Sequence, residues 1–180
     1  MINFYRPIKL RGSHAAYAWY LSKNKGSIRE GGVNIFNRII DAYMFAVLVG
    51  LKFNATSEID DSTVLLANVF NGKVEGEVAS SDIPADTVSD NQKQLNYIYK
   101  LVMLTENERD LSDEEKISNA FKSEGNQEKI DDNISLMHKY ARGGLEIMYD
   151  RFRGLTDIRG IQKVQLELLE DVSEILDTDN

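Results

Sequence analysis

The sequence predicts a mostly α-helical domain of about five to seven helices, with room for one small β-hairpin. Apolar residues recur at three- and four-residue steps over several long stretches, one face of a helix each time. Strand-like alternation is rare. At 180 residues, 42% apolar and 28% charged, the chain has the size and composition of one globular domain with a single core. The clearest helical stretch surrounds Tyr140–Phe152, YARGGLEIMYDRF.

In chain order, Met1–Leu10 partly alternates and permits a short strand, and Arg11-Gly12-Ser13 reads as a turn. His14–Leu21 (HAAYAWYL) fits two helical turns whose aromatics cannot all face one core. Lys23–Gly32 is a glycine-bearing polar loop. Asn34 is expected to cap a helix over Ile35–Leu51 that is apolar around most of its circumference, as suits a helix covered on several sides. Lys52–Asp61 connects it to Thr63–Phe70 (TVLLANVF), whose spacing favours a short helix over a buried strand. Asn71–Asp86 is polar, with a hairpin expected around Val74 and Val78.

Val88–Thr105 forms the next helix, with Leu95, Ile98, Tyr99, Val102 and Met103 facing inward. Ser112-Asp113-Glu114-Glu115 is a capping box opening a helix through Phe121. The long stretch that follows carries Ile130, Ile134, Met137, Ala141, Leu145, Met148 and Phe152 on one face. Gly143 and Gly144 interrupt it. Each glycine costs a helix interior about 1 kcal/mol, so the pair is expected to form a packing notch where another helix crosses closely. A hinge over Arg153–Gly160 precedes the last helix, where Ile161, Val164, Leu168, Val172 and Ile175 form one stripe on an acidic segment. Two parts are therefore expected: a helical domain over 1–158, and an acidic amphipathic helix over 159–180 whose stripe either packs back on that domain or is a partner-binding face.

Charge is unevenly placed. Up to residue 40, seven bases stand against Glu30, or +6, which leaves −14 of the total −8 for the remainder. That balance argues against general affinity for phosphate backbones. Local contact with nucleic acid, or with an acidic partner, is expected only through Arg6, Lys9, Arg11, Lys23, Lys25 and Arg29 together with Trp19. Absence of cysteine excludes disulfides, thiolate catalysis and cysteine-ligated metals. Arg6, Pro7 and Lys9 spoil any signal-peptide core, and Ala42–Leu51 is too short to span a bilayer, so a cytoplasmic protein without a membrane partner is expected.

Catalytic chemistry is not legible. The two histidines, His14 and His138, have no ligand-spaced companions, and Asp60-Asp61 and Asp131-Asp132 diverge by about 100° if helical. No Gly-x-Ser-x-Gly elbow, Walker motif or dinucleotide fingerprint occurs. No catalytic, cofactor or metal site is expected.

Two segments resemble a known family. The apolar helix Phe36–Leu51 with its Ala46-x-x-x-Gly50 spacing, and the element Tyr140, Ala141, Gly143, Gly144, Leu145, Glu146, resemble small proteins associated with bacterial dnd clusters, which modify DNA by phosphorothioation. The polar insertion at Asn71–Asp86 and the acidic C-terminal helix depart from that pattern. The resemblance implies a place in anti-phage defence as a non-catalytic accessory subunit that binds a larger nuclease or ATPase. The alternative is a DNA-contacting or sensing module using the basic N-terminal third. Homo-oligomerisation is compatible with either. The resemblance supplies no site residues.

Overall fold

The computed structural model describes residues 8–22, 32–61, 66–68, 85–122 and 126–175. Among them are β1 (Lys9–Arg11), α1 (Gly12–Leu21), α2 (Ile39–Lys52), β2 (Leu66–Asn68), α3 (Ala85–Thr105), α4 (Asp113–Phe121), α5 (Gln127–Phe152) and α6 (Ile158–Ser173). The fold is mostly α. No helix among the described residues is long and apolar enough to cross a membrane.

Helix α2 is the central element. Ile39, Ile40, Ala42, Tyr43, Ala46, Val47, Val49, Gly50 and Leu51 are all buried, which leaves it little solvent-facing surface. Its main neighbour is α5, which runs unbroken through Gly143 and Gly144. An added Cβ at Gly144 would lie 1.8 Å from the Ala46 carbonyl oxygen, and one at Gly143 would lie 2.2 Å from that of Ala55. On the facing helix, a Cβ at Gly50 would lie 2.0 Å from the Tyr140 oxygen. Backbone therefore meets backbone at the crossing, from both sides.

Three local expectations give way to longer-range interactions. Helix α2 begins at Ile39, after Arg38, rather than at Asn34, whose φ is +51°. Residues 32–36 are instead held against the end of α1: the Val33 amide donates to Tyr20 O at 3.0 Å and the Phe36 amide to Leu21 O at 3.0 Å. These bonds satisfy carbonyls that a helix C-terminus leaves without partners, which outweighs the local cap signal at Asn34. The predicted turn at Arg11-Gly12-Ser13 is already the start of α1. Leu66–Asn68, expected to be helical, is a strand paired antiparallel with Lys9–Arg11. That pairing joins distant segments and is no hairpin; the hairpin expected around Val74 and Val78 lies outside the described residues.

The capping box is formed, with the Glu115 amide donating to Ser112 Oγ at 3.3 Å and the Ser112 amide to Glu115 Oε2 at 2.9 Å. Asp157 caps α6 by accepting from the Gly160 amide at 2.7 Å. The α6 stripe turns inward. Leu168 and Val172 are buried, and Ile161, Val164 and Ile175 pack against the same core. Ion pairs Lys52–Glu174 and Arg151–Asp171 reinforce that docking. Of the two places open to the stripe, its own domain or a partner, it takes its own domain.

Candidate functional site

A polar seam lies where α1, α5 and the connector after α2 meet. The connector is drawn along α5 by backbone bonds: the Ala55 amide closes α2 by donating to Gly50 O at 2.8 Å, and the Ser57 amide donates to Lys139 O at 3.1 Å. Arg142 Nε donates to Ser57 O at 2.7 Å. Lys139, Arg142 and Glu146 are three and four residues apart, so one face of α5 presents all three to the connector. Lys139 pairs with Glu58, and that hydrogen bond holds the Glu58 carboxyl below its ordinary pKa.

At the middle of the seam one carboxylate oxygen serves two donors. Glu146 Oε1 accepts from Ser57 Oγ at 2.7 Å and faces His14 Nε2 at 2.9 Å. The His14 side chain is 2% exposed and that of Glu146 46%. Because Nε2 faces an acceptor, it carries the proton; Nδ1 is buried without a hydrogen-bond partner among the described residues. Next along, Asp60 Oδ2 accepts from the Ser13 amide at 2.7 Å, capping α1 from outside its own chain segment. Gly12 sits against the same carboxylate with φ +54°, where a Cβ would lie 2.5 Å from Asp60 Oδ2. Arg11 pairs with Asp61 at 3.1 Å.

Serine, histidine and a carboxylate are therefore together, but not as a nucleophilic triad. That chemistry needs the carboxylate on Nδ1 and a basic Nε2 facing the hydroxyl. Here the carboxylate occupies the Nε2 side and takes the serine proton bond itself, while Ser57 Oγ and His14 Nε2 stand at 3.4 Å. The geometry ties α1, α5 and the connector together.

Behind the seam, Arg142 and His138 flank the fully buried Tyr43 of α2. The Tyr43 hydroxyl lies 2.5 Å from His138 Nδ1. Burial, with a smaller contribution from the Arg142 charge, pushes the His138 pKa down to about 4. The ring is neutral at pH 7, and one hydrogen bond joins Nδ1 to the Tyr43 hydroxyl. Burial likewise raises the Tyr43 phenol above its ordinary range and pulls the Arg142 guanidinium down. Beyond Glu146, Tyr17 stacks on Tyr149 at 4.1 Å, and Tyr20 donates to Phe152 O at 3.1 Å.

A second polar network lies between α3, α4 and α5. Buried Glu106 accepts from Arg109 Nε at 2.8 Å, Arg109 Nη1 donates to Asn133 Oδ1 at 2.8 Å, and Asn133 Nδ2 donates to the Tyr99 hydroxyl at 2.9 Å. The hydroxyl passes its own proton bond to Asn119 O at 3.2 Å. These bonds link the buried polar groups into one chain, and paired groups stabilise a core where unpaired ones would weaken it.

Among the basic and aromatic residues expected to touch nucleic acid or an acidic partner, Arg6, Lys23, Lys25 and Arg29 lie outside the described residues. Lys9 is on the exposed side of β1, Arg11 is paired with Asp61, and Trp19 packs against the core. Gly144 lies in the α2–α5 crossing, and Gly143 lies against the connector at Ala55. Sequence reasoning missed His14, Ser57 and Glu146 as a group. The face Lys139–Arg142–Glu146 was readable from its spacing; its partners, as much as 132 residues away, were not. The chain matches no protein-family model, no curated protein and no solved structure.

Proposed function

We propose that this protein is a non-catalytic accessory subunit of a bacterial anti-phage defence complex, acting by binding a larger nuclease or ATPase. The observation that supports the reading is what the element Tyr140–Glu146, which carries the family resemblance, does in the fold. Tyr140, Ala141 and Leu145 are core residues, Gly143 and Gly144 admit the neighbouring backbone, Arg142 holds the Ser57 carbonyl, and Glu146 joins Ser57 to His14. We read this element as architectural rather than reactive. What such a scaffold offers other molecules is its surface, and a protein partner suits one whose exposed side chains include large apolar ones.

Co-expression with the products of its neighbouring genes tests the reading. The expected result is a complex of defined stoichiometry that survives size-exclusion chromatography, with phage restriction lost when this subunit is deleted and no rescue required from any seam residue's chemistry. A protein that elutes alone in every combination overturns it.

A further inference from the structure

On α3 the core side is filled by Leu95, Tyr99, Val102 and Met103, all fully buried. The same helix carries a second apolar stripe on its outer side, with Tyr97 71% and Leu104 36% exposed two turns apart. On α4, Ile117 and Phe121 lie one turn apart and are 47% and 57% exposed. Lys100, on the Tyr97–Leu104 face, holds its Nζ 5.0 Å from the Phe121 ring centroid. That contact places Phe121 beside the outer side of α3. One end of this face is acidic: Glu108, Asp110, Asp113, Glu114 and Glu115 are all exposed. Arg109, the base among them, is turned onto buried Glu106.

We infer that the α3–α4 face docks an amphipathic helix of a partner protein, apolar along one side and bearing Lys or Arg where it meets residues 108–115. The biological partner rests on the accessory-subunit reading above. Exposed apolar anchors two turns apart on α3 and one turn apart on α4 match the spacing by which a helix presents its own apolar residues. Tyr97 and Phe121 are the side-chain types that dominate interface energetics. The carboxylates at one end fix the occupant's orientation and oppose an acidic helix, since unlike charges attract across the rim and like charges repel.

Fluorescence anisotropy with a labelled leucine/lysine amphipathic peptide, and with a leucine/glutamate peptide of the same apolar pattern, tests the face directly. Only the leucine/lysine peptide is expected to bind, shifting backbone amide resonances of 97–104 and 117–121. The pair Ile117→Glu with Phe121→Glu weakens binding by about tenfold or more, and Leu166→Glu, exposed on α6, does not. Tyr97→Asp, at the most exposed position of the face, gives the same loss should the double variant unfold. Equal binding by both peptides, equal binding to the variants, or none at all overturns the inference. A homodimer that Phe121→Glu dissolves also overturns it, by assigning the face to a second copy. Peptide binding at this face without a defence complex would remove the accessory reading and leave the face standing; a complex indifferent to these variants would do the reverse.

Discussion

Tyr43 and His138 carry a pH dependence that belongs to a single side-chain pair. The folded-state pKa of His138 is about 4, below the ordinary 6.5. Between those values the unfolded chain takes up a proton that the folded ring refuses. Stability therefore falls as pH falls through that window, and the loss is complete below pH 4. The size follows from the shift, about 3 kcal/mol at 1.36 kcal/mol per pKa unit. Arg142 on the next turn opposes protonation further, so no nearby carboxylate is needed to explain the direction. His138→Asn keeps a hydrogen-bonding group near the Nδ1 position and cannot titrate. Its denaturant-unfolding free energy is expected to vary much less between pH 6.5 and 4 than that of the wild type. Parallel pH profiles for the two proteins would show that His138 is not the group responsible. No sequence signal announces this pair, because a lone helical histidine looks the same whether it meets a tyrosine or water.

Helix packing decides the sign of a substitution that local propensity would predict wrongly. Gly144→Ala should stabilise an isolated helix by about 1 kcal/mol. In the fold the new methyl would lie 1.8 Å from the Ala46 oxygen and 2.8 Å from the Gly50 amide nitrogen. Both are backbone atoms of a buried helix, so relief requires moving α2 away from α5 and opening their shared core. The expected outcome is a net loss of about 3 kcal/mol or more, at the upper end of what overpacking costs. Thermal melting of Gly144→Ala checks this, and a higher melting temperature would contradict the notch. The glycine pair was legible because it broke an otherwise regular apolar period, just as the Ser112–Glu115 box was legible from four adjacent residues. The start of α2 and the β1–β2 pairing were not. Asn34 gives a sound local cap signal, but the α1 carbonyls that claim Val33 and Phe36 are set by tertiary structure. Leu66–Asn68 takes its conformation from a strand near the N-terminus, which no window of sequence contains. Elements defined by their own period or caps could be read; those defined by a distant partner could not.

Across the whole molecule, the decisive question is whether α6 is an appendage or part of the cooperative unit. A stripe on an acidic helix after a hinge is compatible with either. The packing decides: Leu168 is 1% exposed, Val172 is buried, and Lys52 and Arg151 reach from α2 and α5 to Glu174, the C-cap of α6, and to Asp171 within it. Arg11–Asp61 and Arg38–Asp41 in turn match bases of the first forty residues to acids that follow them. Leu168→Ala removes a buried side chain from the shared core and should cost about 2–5 kcal/mol. In one cooperative unit that loss is felt everywhere. Fluorescence of Trp19, the single tryptophan, reports on α1, while far-UV circular dichroism reports on all helices. Both transitions should move to lower denaturant together and remain superimposable. If α6 instead frays alone, circular dichroism would lose a fraction of its signal early while the Trp19 midpoint stayed at the wild-type value, and α6 would again be free to present its stripe to a partner.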